Sequence, residues 1–329
     1  MNTRSGQPDK TVIGDFHDEL VKAERNSTCL YPGCNGKPIG SHLIPEKTLK
    51  LIADKSKVFT WNPSFTSMVR NIEAGQAVEQ LYSEPILVGI KDIKKVTYPL
   101  FCDKHDGPVF APLEKGAFSS QPEQILLLAF RALCSMTYSA PATEPFFNVA
   151  KKYGYQHSLS TPDKLPKLLR YLAREIVLET RRQHAEMLLA HSYNRLDWAI
   201  FTVNMQPCVA CSYTLIPVDD IDSLAIVNGS EALTAEDVLV FSLLPHQTLK
   251  RSTCVISWLR GSQRAEELLS FYKINQLSDK EQQDLMLSFA FQSPHIYISP
   301  SWWRSLSEEQ RKEYAELQFY RHEEFTRLI

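Results

Sequence analysis

Two short pairs of metal-ligating residues are present in the 329-residue sequence. Four residues separate Cys29 from Cys34, and two separate Cys102 from His105. Zinc in proteins prefers four thiolate or imidazole ligands, often supplied by two such pairs in turns, and residues 31–36 are rich in turn-forming proline and glycine. The alternative is that the cysteines are small core side chains and His105 is a surface residue. Four such ligands in two tight pairs favour a structural zinc.

A second set of reactive side chains accompanies these pairs. His42 follows the first pair by a few residues, and Asp106 comes directly after His105. If one ion holds both pairs, we expect His42 and Asp106 to lie near each other. An imidazole can deprotonate water, while a carboxylate can hold a divalent cation that stabilises charge on a phosphate. This combination is suited to phosphodiester hydrolysis.

The segment at residues 41–45, Ser-His-Leu-Ile-Pro, lies between the two pairs. It resembles the (D/H/S)-H-I-I-P core of the HNH, or His-Me finger, nucleases, and the resemblance covers about residues 29–110 only. It implies a zinc-stapled ββα element of treble-clef type, with His42 as general base and Asp106 as ligand of a catalytic Mg²⁺ or Mn²⁺. The implied activity is that of a metal-dependent endonuclease acting on nucleic acid, with DNA favoured.

The sequence also departs from the family pattern. Ser41 stands where many members have a metal-binding residue, His105 replaces the usual fourth cysteine, and Asp106 stands where histidine or asparagine is common. Gly107-Pro108 is expected to cut short the helix after the second pair. The middle asparagine of the pattern has only Asn62 and Asn71 as candidates. These departures leave a second hypothesis, a catalytically inactive zinc-stapled adaptor that docks a protein partner.

Composition limits the choice of function. The formal net charge is −2, so attraction to nucleic acid must come from a local patch or a bound metal. A hydrophobic share of 43% and a charged share of 22% indicate a foldable globular chain. No apolar run approaches the roughly 18–20 residues that span a bilayer, and residues 1–10 are polar. We therefore expect a cytoplasmic protein that does not enter a membrane.

The hydrophobic periodicity predicts an α+β fold in three parts. The zinc-bound module is expected at 1–116, with a helix at 11–25 and strands at 58–61, 86–90 and 97–101. A helical region at 117–193 contains helices at 125–138 and 165–193. An α+β domain at 194–329 has about five strands in a mostly antiparallel sheet, predicted at 196–205, 212–218, 223–227, 238–243 and 252–259. Three C-terminal helices follow, at 262–274, 278–291 and 307–321, of which the last two begin with capping boxes.

The remaining motifs are less specific. Cys208 and Cys211 form half of a zinc site, a redox pair or, as is more common for cysteines flanked by strands, part of a core. His184 and His191 are expected on an exposed polar face of the long helix. Residues 117–329 match no family pattern, and we expect them to serve recognition or partner binding. A chain that combines an HNH-like module with such a region resembles bacterial anti-phage defence effectors. These effectors act with an ATPase partner.

Overall fold

The computed structural model describes residues 27–61, 84–92, 96–139, 164–215, 234–246 and 251–326. The predicted helix at 11–25, the predicted strand at 223–227 and the candidates Asn62 and Asn71 lie outside these ranges. The strands are β1 (Ile39–His42), β2 (Lys57–Thr60), β3 (Ile86–Gly89), β4 (Thr97–Phe101), β5 (Leu196–Val203), β6 (Val209–Leu215), β7 (Leu239–Pro245), β8 (Ser252–Leu259) and β9 (Ile296–Ile298). The helices are α1 (Glu46–Lys50), α2 (Asp103–Val109), α3 (Ala111–Glu114), α4 (Pro122–Ser139), α5 (Lys164–Ala190), α6 (Gln263–Tyr272), α7 (Asp279–Phe291), α8 (Pro300–Ser305) and α9 (Glu308–Thr326).

Seven strands form one sheet in the order β3-β2-β9-β6-β7-β8-β5. Every neighbouring pair in it is antiparallel. The predicted α+β class with a mostly antiparallel sheet and C-terminal helices is therefore confirmed. The predicted capping boxes are also present, since Ser278 pairs with Glu281 and Ser307 with Gln310 at the starts of α7 and α9.

The two faces of the sheet carry different side chains because residues alternate along each strand. On one face, large apolar residues such as Phe241 and Ile256 pack against α7, α8 and α9. On the other, β6 and β7 present small polar side chains, and the buried hydroxyls of Ser212 and Ser242 hydrogen-bond at 2.7 Å. Small side chains allow the apolar helix α4 to lie close to this face, where Leu133 packs near Val240.

A second, two-stranded sheet carries the predicted site. β1 pairs antiparallel with β4, so that Ser41 lies opposite Tyr98 and His42 opposite Thr97. Helix α2 follows β4 directly, with Cys102 at its N-cap. The local order is thus strand, strand, helix, with α1, β2 and β3 inserted between the two strands.

The sequence predicts that Gly107-Pro108 cuts short the helix after the second pair, and α2 is only seven residues long. Both residues lie inside α2, which ends at Val109, one residue after the proline. Proline lacks a backbone N–H and its ring crowds the preceding turn, which agrees with this early end. Phe110, whose ring is buried, is the single residue between α2 and α3.

The large sheet joins parts of the chain that are distant in sequence. Phe59 of β2 pairs with Ile298 of β9, which also pairs with Val209 of β6. Tyr98 Oη lies 2.8 Å from His295 Nδ1 in a hydrogen bond.

The short elements β9 and α8 were not predicted from the sequence, and the domain boundaries at 116 and 193 stay predictions. Within the described ranges, none of the helices combines the length and the hydropathy needed to cross a membrane.

Candidate metal centre and adjacent polar site

Four side chains from the two predicted pairs meet at one point. One ligand atom from each of Cys29, Cys34, Cys102 and His105 lies within 4.8 Å of all the others. The Sγ atoms of Cys34 and Cys102 are 3.8 Å apart. The Nδ1 atom of His105 is 3.5 Å from Cys29 Sγ and 3.3 Å from Cys102 Sγ.

These separations are the size of a zinc tetrahedron. With zinc bonds of about 2.3 Å to sulfur and about 2.0 Å to nitrogen, tetrahedral edges are about 3.8 Å between sulfurs and about 3.5 Å between sulfur and nitrogen. The sulfurs of Cys34 and Cys102 are much farther apart than in a disulfide, where they lie about 2.05 Å apart. The donor set and its spacing therefore fit a metal ion such as zinc.

Backbone groups around the centre contact the sulfur atoms. The N–H of Gly36 donates to Cys34 Sγ at 3.3 Å, and the N–H of Cys102 donates to Cys29 Sγ at 3.3 Å. A Cβ atom on Gly36 would lie 3.3 Å from Cys102 Sγ and 3.4 Å from Cys34 Sγ. Tyr31 stacks on the imidazole of His105, with ring centroids 4.0 Å apart. These contacts hold the ligands in place around a common point.

The thiols of the centre have unequal acidities. Burial raises the pKa of Cys29 to about 11. The pKa of Cys102 is lowered, because hydrogen bonds from Cys29, Cys34 and two backbone N–H groups outweigh the desolvation that raises it. A bound cation favours the thiolate form of each cysteine, so metal binding would release protons.

His42 lies at the end of β1 and is half-buried. Its Nε2 is 3.2 Å from the carbonyl oxygen of Ile90. Because a carbonyl oxygen only accepts hydrogen bonds, Nε2 carries the proton and Nδ1 keeps the lone pair of the neutral ring. Nδ1 is therefore the nitrogen able to act as a base.

Asp106 lies in α2, directly after His105. Desolvation raises the pKa of the Asp106 carboxyl, as does the charge of Glu114. A hydrogen bond with Ser41 and the charges of Arg131 and His42 lower it, but desolvation prevails. Asp106 Oδ1 is buried and has no hydrogen-bond partner among the described residues. A buried carboxylate oxygen with unused acceptor capacity thus lies on α2, and the same carboxyl group contacts Ser41, the residue before His42 in β1.

A partly buried ion pair, whose arginine has an electrostatic effect on Asp106, was not found by sequence reasoning. Arg131 on α4 donates from Nη1 to Glu114 Oε1 at 2.8 Å, and its side chain is 2% exposed. Its guanidinium carbon lies 4.1 Å from the ring centroid of Phe110. The available signal was a single charged residue in a stretch of α4 that is otherwise apolar from Ile125 to Cys134.

The other sequence candidates lie away from this site. Cys208 and Cys211 are buried in the large core, and burial raises the pKa of Cys208 to about 12. The expected exposure of His184 is wrong, because it is 1% exposed and packs in the interior. A cavity of about 70 Å³ lies elsewhere, between α1, α3 and β7, and includes Lys47 and His246 in its lining.

Comparison of the chain with protein-family models gives no match, and comparisons with curated proteins and with solved structures give none either.

Proposed function

We propose that this protein is a metal-dependent endonuclease of HNH type that hydrolyses phosphodiester bonds in nucleic acid, with DNA favoured. The observation that carries the proposal is the buried carboxylate oxygen of Asp106 that has no hydrogen-bond partner among the described residues. It lies in α2, the helix that contributes His105 to the four-ligand cluster, and His42 ends the strand that pairs with β4 directly before this helix. The order strand, strand, helix in β1, β4 and α2 supports the proposal, since the family resemblance implies a ββα element.

The chain offers two groups for the reaction. His42 Nδ1 would accept a proton from water as the resulting hydroxide attacks phosphorus and the bond to the leaving oxygen breaks. Asp106 would hold a Mg²⁺ or Mn²⁺ ion through its unpartnered oxygen, and such an ion neutralises charge developing on the phosphate. The Cys29, Cys34, Cys102 and His105 set would hold a structural zinc, which fixes the ends of the module.

A second function, protein docking by an inactive zinc-stapled adaptor, is favoured by a different observation. Four of the five exposed large hydrophobic residues in the described part of the chain lie between residues 39 and 87. They are Ile39, Leu51, Ile86 and Leu87. An adaptor would use such residues to bind a protein and would not need His42.

Cleavage of supercoiled plasmid DNA with Mg²⁺ or Mn²⁺ distinguishes the two functions. We expect His42→Ala to lower the cleavage rate by roughly 10²–10⁴-fold, since this is the usual contribution of a general base. Zinc content and thermal stability should stay at the wild-type level. His191→Asn, which removes an exposed histidine directly after α5 and keeps a residue that tolerates its positive φ, serves as the matched control. The nuclease would be contradicted by wild-type protein that leaves DNA intact, or by a His42→Ala variant that cleaves as fast as wild type. The same assay with an RNA substrate tests the preference for DNA.

A further inference from the structure

Arg131 occupies an unusual position for a charged residue. It lies in the apolar stretch of α4, where neighbours such as Phe130 and Leu133 are fully buried. Burying a guanidinium is unfavourable unless it is paired and hydrogen-bonded. An apolar side chain at this site would pack with less desolvation cost, so the ion pair calls for a role other than stability.

The two partners of Arg131 both belong to the connection that follows α2. Phe110, under the guanidinium, is the residue at which α2 ends and α3 begins. Glu114, which accepts the hydrogen bond, is the last residue of α3. The ring of Phe110 also packs on Phe101 of β4, with centroids 4.7 Å apart. Arg131 therefore fixes the C-terminal side of α2 against β4 and α4.

Helix α2 needs such a support because it has little stability of its own. It is seven residues long and contains Gly107 and Pro108, whereas isolated helices shorter than about 12 residues are marginal in water. The metal centre holds its N-terminal side through Cys102 and His105. Asp106 lies between the two supports, and its position depends on both.

We propose that Arg131 is a positioning residue that, through Phe110 and Glu114, places the Asp106 carboxylate to hold a divalent cation. This inference rests on the proposed function, in which Asp106 is the ligand of that cation. It assigns to the helical region a direct part in the site, although Arg131 itself is too buried to touch a nucleic acid.

Binding of Mn²⁺ alone to the zinc-loaded full chain tests the inference, with free Mn²⁺ measured by its paramagnetic resonance signal. Loss of binding in Asp106→Asn identifies the site. Electrostatics by itself predicts tighter Mn²⁺ binding in Arg131→Met, because a nearby positive charge is removed. Positioning predicts the opposite, an increase in Kd of about tenfold or more. Arg131→Lys keeps the positive charge but lacks the planar guanidinium group, and it should give a smaller increase in the Kd for Mn²⁺.

Further readings separate this role from a general structural one. Zinc content should be unchanged in Arg131→Met, and Arg182→Met should bind Mn²⁺ like wild type. Arg182 is an exposed arginine of α5 that also pairs with glutamates. Unchanged or tighter Mn²⁺ binding in Arg131→Met, or loss of zinc together with Mn²⁺, would overturn the proposal.

The same experiment distinguishes failure of the inference from failure of the proposed function. Mn²⁺ binding that depends on Asp106 and Arg131, in a protein that does not cleave nucleic acid, supports the inference and rejects the nuclease. Cleavage with an Mn²⁺ requirement unaltered by Arg131→Met supports the nuclease and rejects the inference. Wild-type protein that binds no Mn²⁺ overturns both.

Discussion

At the residue scale, Gly36 is the position where the metal centre leaves least space. Its backbone N–H donates to one sulfur, and an added Cβ would lie 3.3 Å from Cys102 Cβ and Sγ. Free thiols can move by a few tenths of an ångström, whereas sulfurs bonded to zinc are held at about 2.3 Å from the ion. We expect Gly36→Ala to weaken zinc binding by roughly 10–100-fold, as altered surroundings of metal ligands do.

Competition with a chromophoric chelator measures this affinity. Gly89→Ala is the matched control, since an added Cβ there has no neighbour within 4 Å. Equal zinc affinities of the two variants would contradict the close fit of Gly36 against the sulfur atoms.

His184 is a second position at which burial controls chemistry. Its Nδ1 donates to the carbonyl oxygen of Thr180 at 2.8 Å, which leaves the buried Nε2 without a partner among the described residues. Burial lowers its pKa to about 4 from the ordinary value of 6.5. Between these values the unfolded chain binds more protons, so this contribution to stability is complete above about pH 6.5 and is lost as the pH falls towards 4.

The slope from this one group is at most about 1.4 kcal/mol per pH unit. Thermal unfolding at pH 7 and pH 5 should show a smaller acid destabilisation in His184→Met than in wild type. His191→Asn is the control, because residue 191 is exposed and has a φ of 48° that asparagine tolerates. Identical acid destabilisation in wild type and His184→Met would rule out His184 as the cause.

At the scale of elements, α2 is a short helix in which replacing a glycine should increase stability. Gly107 is exposed inside α2, and an added Cβ would have no neighbour within 4 Å. Alanine is favoured over glycine by about 1 kcal/mol in a helix interior. We expect Gly107→Ala to raise the thermal midpoint, and Gly33→Ala to lower it, because Gly33 has a φ of +72°. A Gly107→Ala variant less stable than wild type would contradict the helical geometry of α2.

The elements that local periodicity predicts are those with strong patterns of their own. Strand β8 occupies the predicted range 252–259, and the predicted helix at 125–138 lies inside α4. β9 was missed because three residues contain no usable period, and its place between β2 and β6 depends on pairing between distant segments. The meeting of the two Cys/His pairs in one cluster that could hold a metal ion was predicted from the types and spacing of their residues. The pairing of Arg131 with Glu114 depends instead on how α4 packs.

At the scale of the whole molecule, α4 is the element that the parts of the chain share. Leu127 and Phe130 belong to the same buried cluster as Cys29, Cys102 and Leu100. Its other side packs on α5 and on the large sheet. A helix that is apolar on all sides is buried on all sides. The core around the metal centre is therefore continuous with the core of the sheet, across the boundary predicted at residue 116.

This continuity predicts that metal removal destabilises the sheet as well as the metal centre. Five tryptophans report on unfolding, and only one of them precedes residue 117; they are Trp61, Trp198, Trp258, Trp302 and Trp303. If the parts unfold as one cooperative unit, stripping the zinc with a chelator should shift the single tryptophan-fluorescence transition to lower temperature. Restoring zinc should reverse the shift. A fluorescence midpoint that chelation leaves unchanged would mean that the sheet unfolds independently of the metal centre, and that the core through α4 does not couple them.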